Sequence, residues 1–559
     1  MRKNLYLALF LVCIILLLAA CAGKTEENVT TTAGEGNAPA TTVASQTTTV
    51  SSSENEIIDK ESFTVYISVD PSITVQNNRV VEWFEELADV KFNFVESTGS
   101  EMLTLLLNSG DYPEIFLQNF SNIDITTYGV KNNIFIPIED YINTETPNIK
   151  AYLDNHQEFK TNITALDGHI YGVPQLPATI SHTYVGAKAW INTVWLDAIG
   201  KTIPDTTDEL YDILVAFRDD DPNKNGKNDE IPLTGAIKTW DAEPEYFLLN
   251  SFIFANKSNF ILLEGGVVEF VANKDDYRDG LYYIKSLYDE GLIDPASFTQ
   301  DLDQLIVIGQ NPEIEIIGMY TAGHVGMALD LEDIERSKMY SPVVTLQGPS
   351  GKRYIKYGGP ESVSGTSFAI TDKCHDIPRA MKMIDLMFDE VNSIISGTGF
   401  EGESWKRADP GMNDFEGNQA LYQSLVVRRE QAASVIDYTF PPFIKCDTQR
   451  PKYAVVSDDI YDPNSQQYEL RLIQATNQYL QYKPEELMPV IWVDADAADR
   501  NNQLRVAVVD YVMQATTRFI TGDMNLDSEW DDYCKALDTM GLADYLKYFE
   551  DGYADANKK

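Results

Sequence analysis

Predicted strands and helices alternate from residue 63 onwards, and this order limits the possible folds more than any other feature of the chain. Residues 63–69 alternate between apolar and polar side chains, which is typical of a half-buried strand. A helix is predicted over 80–87, and a second strand follows over 90–95. An apolar helix at 101–107 and a strand at 114–117 continue the order. Chains that alternate in this way build α/β domains, so an α/β fold is predicted.

Two longer helices are predicted from their ends and their apolar stripes. The first covers 206–218, where Thr206 can cap the helix and Glu209 can complete a capping box. The second covers 277–290 and ends at Gly291. Because apolar side chains repeat along one side of each helix, these stripes predict core positions rather than chemistry.

The N-terminus has the pattern of a secretion signal. Arg2 and Lys3 precede an unbroken apolar run over 5–20, which stops at Cys21. The small residues before Cys21 resemble a bacterial lipobox, so we expect residues 1–20 to be a signal peptide and Cys21 to carry the lipid, including palmitate. The alternative is an uncleaved N-terminal anchor, which also predicts an exported and tethered protein.

A polar stretch separates this signal from the part of the chain that can fold. Residues 21–58 contain the proposed lipidated Cys21 and a Thr/Ser-rich segment whose composition is typical of a disordered linker. The chain is 44% hydrophobic, and the residues after 58 are long enough to bury the cores of two lobes. The formal charge is −43, and becomes −45 without Arg2 and Lys3 because 41 basic residues then face 86 acidic ones. Nucleic acid is therefore excluded as a partner, and weak self-association favours a monomer.

Cysteine and histidine give no framework for a disulfide core or a zinc site. After Cys21 the remaining cysteines are Cys374, Cys446 and Cys534, which are far apart and odd in number. The five histidines have no spacing that suits a metal. We therefore expect no histidine-based catalytic centre.

The segment 221–230 is a dense set of hard oxygen donors, and Ca²⁺ is the ion that such donors prefer. Alternate positions converge when a chain curls round an ion, and Gly226 permits the sharp turn. The spacing follows the first nine positions of an EF-hand loop, but Pro232 stands where position twelve requires a bidentate Glu. The alternative is an acidic surface turn without metal. The candidate ligands are Asp221, Asn223, Asn225, Lys227 through its carbonyl, Asp229 and Glu230.

Several segments in this order resemble the extracellular solute-binding proteins, family 1, of ABC importers, in particular the large lipoproteins and the calcium-bearing alginate-oligosaccharide binders. The resemblance covers nearly the whole chain after the signal. The segments are 105–115, 167–174, 191–200 continuing through the 206–218 helix into 221–226, 288–295, 323–327 and 399–402.

The resemblance implies a two-lobed periplasmic-binding-protein-like fold of class II, in which the lobes are joined by hinge strands and close over a solute. It places the chain crossings near 178, 350 and 400. The N-terminal lobe would comprise 59–178 plus 350–400, and the C-terminal lobe 179–349 plus 401–559. It also places the family's structural Ca²⁺ on the donors of the 221–230 loop. It implies a carbohydrate-binding lipoprotein at the outer face of the cell membrane that serves the permeases of an ABC importer. The segment after Cys21 favours a Gram-positive cell.

Sugar receptors need flat aromatic side chains for the ring faces, with amide and carboxylate groups close by. Candidates are therefore sought near the implied crossings, although a tryptophan is more often packed in a core than stacked on a ligand. The residues selected are Trp405, Glu401, Tyr171, Gln175, Trp240, Glu243 and Asn119.

Other functions stay open at this point. A binder of peptides or lipid-linked solutes would have the same fold. An anchored glycoside hydrolase or lyase would need two carboxylates in a sugar cleft, but pairs of acidic residues are trivial to find among 86. No motif for a serine hydrolase, zinc peptidase or P-loop enzyme is present, so we predict that the protein is not an enzyme.

Overall fold

Contacts divide the chain into two units, Met1–Asp59 and Lys60–Lys559. The computed structural model describes residues 61–68, 75, 78–97, 100–178, 180–359, 362–425, 451–457, 459–461 and 467–557. The predicted signal peptide, Cys21 and the predicted linker lie outside these residues.

The strands form two four-stranded sheets and two small hairpin sheets. In chain order they are β1 (Glu61–Ser68), β2 (Val90–Ser97), β3 (Ile115–Leu117), β4 (Ala189–Asn192), β5 (Ile231–Thr234), β6 (Ile261–Glu264), β7 (Val267–Phe270), β8 (Ile317–Thr321), β9 (Tyr340–Val343), β10 (Ala369–Ile370), β11 (Trp405–Arg407) and β12 (Tyr422–Ser424).

Helices cover both large sheets. In chain order they are α1 (Arg79–Ala88), α2 (Ser100–Ser109), α3 (Asn122–Ile125), α4 (Glu139–Glu145), α5 (Pro147–Asn155), α6 (Gln157–Ile163), α7 (Thr193–Ala198), α8 (Thr207–Asp219), α9 (Pro244–Leu249), α10 (Asp275–Asp289), α11 (Leu302–Gly309), α12 (Ile334–Lys338), α13 (Ile377–Leu386), α14 (Glu390–Thr398), α15 (Gln467–Leu480), α16 (Ala495–Thr521), α17 (Trp530–Met540) and α18 (Leu542–Ala556). None of these helices combines the length and the hydropathy that a membrane crossing requires.

The first sheet has the order β10-β3-β1-β2. Its strands β1, β2 and β3 are parallel, and β10 pairs antiparallel with β3. Along β1, Phe63, Val65 and Ile67 point into one buried cluster, while Tyr66 joins another cluster on the opposite face. The strand was predicted to be half-buried, but it is buried on both faces, which is typical of parallel sheets covered by helices.

The second sheet has the order β5-β8-β4-β9, in which β5 and β8 are parallel and β4 pairs antiparallel with β8 and β9. Its main core joins residues of α8, α10 and α16. Helix α8 begins as predicted, because Thr206 accepts the amide of Glu209 and the Glu209 carboxylate accepts the amide of Thr206. The two helix-covered sheets confirm the predicted α/β class.

The chain passes between the sheets more than once. It leaves the first sheet before β4 and returns to it between β9 and β10. We call the parts of the chain around the first and second sheets the first and second lobes, while the residue boundaries predicted above stay a prediction. A further segment lies between α15 and α16. There Trp492 packs in a buried cluster of the first lobe, and its Nε1 donates a hydrogen bond to the Asn162 carbonyl, 3.0 Å away.

Candidate functional site

A cavity of about 290 Å³, which we call the cleft cavity, lies where the chain passes between the lobes. Its walls come from an outgoing stretch (174–178 and 180–184), from a returning stretch (358–359 and 362–367) and from Asn119. Asn119 lies two residues beyond the end of β3, and the carboxyl ends of parallel strands are where α/β folds commonly bind ligands. The cavity thus brings together two residues that were predicted as ligand contacts, Asn119 and Gln175.

Ser367 joins these two predicted residues. Its Oγ donates to Asn119 Oδ1 over 2.6 Å and accepts the backbone amide of Gln175 over 3.3 Å. Ser367 is buried, whereas Asn119 is exposed and Gln175 is half-buried. The returning stretch therefore fixes the positions of groups from the first lobe and from the outgoing stretch.

Trp240 lies on the second-lobe side of this region, six residues beyond the end of β5. Its half-buried ring is 5.7 Å from the ring of His182 in the outgoing stretch. The amide of Gly323 donates to the Trp240 carbonyl over 3.0 Å, and a Cβ at position 323 would lie only 2.5 Å from the indole. The indole therefore rests directly on backbone, and any side chain at 323 would displace it.

Charged side chains beside Trp240 are paired with one another. Lys257 Nζ lies 2.6 Å from Glu243 Oε2, and Lys356 Nζ lies 3.2 Å from Asp241 Oδ1. The carboxylate of Glu243, a predicted ligand contact, is therefore already neutralised by a lysine. A third lysine, Lys188, has its Nζ 6.0 Å from the centre of the Trp240 ring.

His182 of the outgoing stretch forms a buried hydrogen bond to Glu469 of α15, with Nδ1 and Oε1 separated by 2.6 Å. The His182 carbonyl also accepts Lys188 Nζ over 2.8 Å and Thr476 Oγ1 over 3.2 Å. Burial lowers the pKa of Lys188 to about 7, against the opposing charges of Asp241 and Glu469. These bonds fix the outgoing stretch to the second lobe.

Sequence reasoning missed Tyr184 and this buried group. Tyr184 lines the cleft cavity, and its ring is 6.2 Å from that of Tyr357. Tyr184 lies close to the crossing predicted near 178, so an aromatic residue there was a usable signal. The pairing of His182 with Glu469 had no such signal, because the two residues are far apart in the chain.

Three other predicted ligand contacts lie elsewhere in the described structure. Tyr171 is buried in the first lobe and donates to Asp167 Oδ2 over 2.6 Å, and burial raises its pKa. Trp405 is fully buried, and its Nε1 donates to the Gly399 carbonyl over 2.8 Å. Glu401 is exposed near the same small sheet. Their contacts with a ligand stay predictions.

The loop 221–230 follows α8 directly and is curled by its own hydrogen bonds. The carboxylate of Asp221 accepts the amides of Asn225 over 3.1 Å and Gly226 over 3.0 Å. Asn225 Nδ2 donates to Asp229 Oδ1 over 2.9 Å, and Asn223 Oδ1 accepts the amide of Asn225 over 3.0 Å. Gly226 has a φ of +72°, which allows the turn that brings Asp229 back towards Asp221.

Glu230 provides the test of whether this loop suits a cation. Its Oε1 is buried and has no hydrogen-bond partner in the described structure. Burial raises the pKa of Glu230, and the nearby charges of Asp221 and Asp229 raise it further. The described residues contain no group of three or more His, Cys, Asp or Glu side chains arranged for a metal ion, so amide and carbonyl oxygens would have to complete the coordination. An unpartnered buried oxygen beside two carboxylates fits a hard cation.

Comparison with known proteins gives the family context. No protein-family model matches the chain. The chain is 28% identical over 477 residues to the fructooligosaccharide ABC transporter substrate-binding protein FusA of Streptococcus pneumoniae serotype 4, covering 83% of this chain and 84% of FusA. It is 24% identical over 361 residues to the lipoprotein LipO of Bacillus subtilis, covering 62% and 66% of the two chains.

Solved structures match at the level of the fold. FusA of S. pneumoniae in complex with kestose aligns with a TM-score of 0.72 at 25% identity, over 89% of this chain and 100% of the FusA chain. The chain has the fold of the ABC-transporter substrate-binding proteins. The predicted two-lobed fold and the resemblance to these binding proteins are thereby confirmed. Neither FusA nor LipO is described as an enzyme, in agreement with the prediction of a binding protein.

A second solved structure of this substrate-binding protein class bears on the loop. It is described as the EF-hand mutant of S. pneumoniae FusA in complex with fructo-nystose, with a TM-score of 0.72 at 24% identity over 89% of this chain and 100% of that chain. FusA is therefore a relative for which an EF-hand is described.

Proposed function

We propose that this protein captures an oligosaccharide in the cleft cavity and delivers it to the permeases of an ABC importer. The observation that carries the proposal is the position of that cavity, between the two stretches that connect the lobes of a substrate-binding-protein fold. The sequence match to FusA, a fructooligosaccharide-binding protein, extends over 83% of this chain and supports the same class of solute.

The residues around the cleft cavity suit sugar chemistry. Sugar rings have apolar faces, which pack on aromatic rings, and hydroxyl edges, which need amide and hydroxyl partners. Tyr184 in the cavity wall and Trp240 beside His182 would supply the aromatic surface. Asn119, Gln175 and Ser367 would supply the polar partners. Glu243 is proposed as a further polar contact beside Trp240. Contacts from Tyr171, Glu401 and Trp405 would have to come from an arrangement of the chain other than the one described here.

Calorimetric titration of the purified protein with kestose, fructo-nystose, uronic-acid oligosaccharides and short peptides tests the proposal. We expect an oligosaccharide to bind and to be recovered with unchanged mass. Gln175→Ala should weaken that binding, whereas Gln481→Ala, at an exposed glutamine beyond the cleft, should leave it unchanged. Binding of peptides alone would contradict the choice of solute. Recovery of a shortened sugar would contradict the absence of enzyme activity.

We further propose that the 221–230 loop holds a structural Ca²⁺. Asp221, Asn223, Asn225, Asp229 and Glu230 would offer side-chain oxygens, and Lys227 would offer its carbonyl. The ion would neutralise clustered carboxylates and fix the end of α8. The description of FusA as having an EF-hand supports this proposal.

Membrane attachment is proposed through a lipid on Cys21, with residues 21–58 as the linker and a monomeric two-lobed binding protein at the outer face of a Gram-positive cell membrane. The related LipO is described as a lipoprotein, which supports the anchor. Expression in such a host with labelled palmitate should label the wild-type protein. Cys21→Ala should abolish the label and release the protein into the medium, and a labelled Cys21→Ala protein would contradict the site.

A further inference from the structure

A second and larger cavity, of about 530 Å³, adjoins the cleft cavity, and we call it the hinge cavity. The two cavities have Gly358 and Ser364 of the returning stretch in common. Both lobes contribute to the wall of the hinge cavity. The first lobe contributes 121–123, the second lobe contributes 254–263, and the segment before α16 contributes 484–491. The hinge cavity is therefore built from both lobes, as a ligand site between lobes must be.

One polar atom of a residue that lines the hinge cavity has no hydrogen-bond partner in the described part of the chain. Asn501 lines the cavity, is only 4% exposed, and its Oδ1 has no hydrogen-bond partner in the described structure. Leaving a buried acceptor unpaired costs roughly 1–3 kcal/mol, so such an atom is a place where a donor is expected to bind. This oxygen has almost no exposed surface, so a ligand hydroxyl would satisfy it after the amide turns towards the cavity.

The rest of the wall combines apolar surface with neutral polar groups. Tyr548, Phe549 and Phe254 supply aromatic surface, while Asn256 and Asn259 supply amides. This mixture of aromatic rings and amides is the one that sugar rings require.

The charged groups on the wall already have partners. Lys356 lies 3.2 Å from Asp241, and Glu486 Oε2 accepts the amide of Gly266 over 2.9 Å. Arg505 donates to Asn502 Oδ1 over 3.3 Å. Asp241 balances the charge of Lys356, and the opposite charges of Arg505 and Glu486 balance each other, so the wall favours a neutral ligand over an anion.

The size of the hinge cavity argues against water as the sole occupant. A single water takes about 30 Å³ of liquid volume, whereas small-molecule sites occupy roughly 300–1,000 Å³. One water could satisfy Asn501 but would leave most of the aromatic wall uncovered.

We propose that the hinge cavity is a second binding site, separate from the cleft cavity, for a neutral saccharide of one or two rings. A hydroxyl of this saccharide donates to Asn501 Oδ1, and its ring faces pack on the aromatic wall formed by Tyr548 and Phe549. The choice of a sugar as the ligand rests on the proposed function of the cleft cavity.

Calorimetric titration of the full chain with sucrose and with kestose tests the second site. We expect two binding events in the wild-type protein. Asn501→Leu replaces the acceptor with an apolar side chain of similar size, so it should weaken one event at least fivefold and leave the other unchanged. Gln175→Ala, in the cleft cavity, should weaken the other event only.

Ser258→Trp provides a second variant, and its folding can be checked by circular dichroism; Ser258 is exposed at the wall of the hinge cavity. An indole there should fill the cavity and remove the same event that Asn501→Leu weakens. A single binding event that neither variant changes would overturn the second site and leave the proposed function intact. If no sugar bound, or if Gln175→Ala left all sugar binding unchanged, the result would instead count against the proposed function itself.

Discussion

The 221–230 loop takes its candidate ligands from ten consecutive residues, whereas the cleft cavity takes its walls from three stretches between residues 119 and 367. In the loop, Asp221 and Asn225 fold the backbone by bonds that span only a few residues. In the cleft cavity, Ser367 ties Asn119 to Gln175 across much of the chain. We therefore expect the stability that the loop provides to depend on its bound ion. The sugar affinity of the cleft cavity should depend on the positions of the connecting stretches.

Removal of Ca²⁺ should give the largest effect and should separate the two regions. Chelation is expected to lower the free energy of unfolding by about 3 kcal/mol when the free Ca²⁺ had been near 100 times its dissociation constant. Scanning calorimetry measures the change, and oligosaccharide affinity should change by less than about threefold, since none of the walls of the cleft cavity belongs to the loop.

The double variant Asp221→Ala, Asp229→Ala should melt like the chelated wild-type protein and should no longer respond to chelator. Asp279→Ala, an exposed acidic change on α10, provides the control and should keep the full response. Identical melting with and without Ca²⁺ in the wild-type protein would show that the loop is an acidic turn without metal.

Trp240→Ala should give the next largest effect, and on sugar affinity rather than on Ca²⁺ binding. Loss of an indole that packs on a sugar ring is expected to cost about 2 kcal/mol, or roughly thirtyfold in affinity. Trp240→Phe keeps an aromatic face and should lose less. Full affinity in Trp240→Ala, measured by calorimetry, would remove this residue from the site.

Ser367→Ala tests whether the cleft cavity depends on a bond across the chain. The variant removes the donor to Asn119 and the acceptor of the Gln175 amide, so we expect a loss of about 1 kcal/mol, or roughly fivefold in affinity. Ser286→Ala, at an exposed serine of α10 outside both cavities, is the matched control. Equal affinities in the two variants would show that Ser367 has no part in positioning the ligand contacts.

A pH scan should give the smallest effect, through a group remote from both regions. At the start of the first sheet, His375 is bonded through Nδ1 to Glu114 and through Nε2 to Glu61. The hydrogen bond to Glu114 is the main cause that raises the pKa of His375, against partial desolvation. A raised folded-state pKa stabilises the protein below pH 6.5, and this contribution is lost as the pH rises through the raised value.

Melting temperatures of the wild-type protein and of His375→Gln, measured between pH 6 and 9, test this expectation. The advantage of the wild-type protein should be largest at pH 6 and should shrink as the pH rises. The same difference should be found with and without Ca²⁺ and sugar. A difference that grows with pH would show that the histidine is not the titrating group.

Features that depend on neighbouring residues could be predicted from the sequence. The capping box of Thr206 and Glu209 and the curl of the loop round Gly226 are both decided within a few positions. Asn119 and Gln175 could be selected because a strand end and an implied crossing bring polar residues towards a cleft. The first two predictions rest on local rules, whereas the choice of Gln175 also uses a crossing that the family resemblance implies.

Features that depend on packing between distant segments could not be predicted. Ser367 and the buried pair of His182 and Glu469 have ordinary sequence surroundings, and only the folded chain brings their partners together. Trp405 was selected as a ligand contact, but the sequence could not show that its ring is buried. A tryptophan serves equally well as a core residue or as a sugar platform, and here its ring lies in a small core with Tyr422 and Tyr453.

Gly358 and Ser364 have a consequence for how this protein can change its cargo. Both residues line the cleft cavity and the hinge cavity. A bulkier residue at either position would therefore alter two cavities at once. We expect new solute preferences to arise through the other walls, at 174–178 for the cleft cavity and 254–259 for the hinge cavity, while positions 358 and 364 keep their small residues. In a library of variants selected for new sugars, substitutions should accumulate on those other walls and avoid positions 358 and 364.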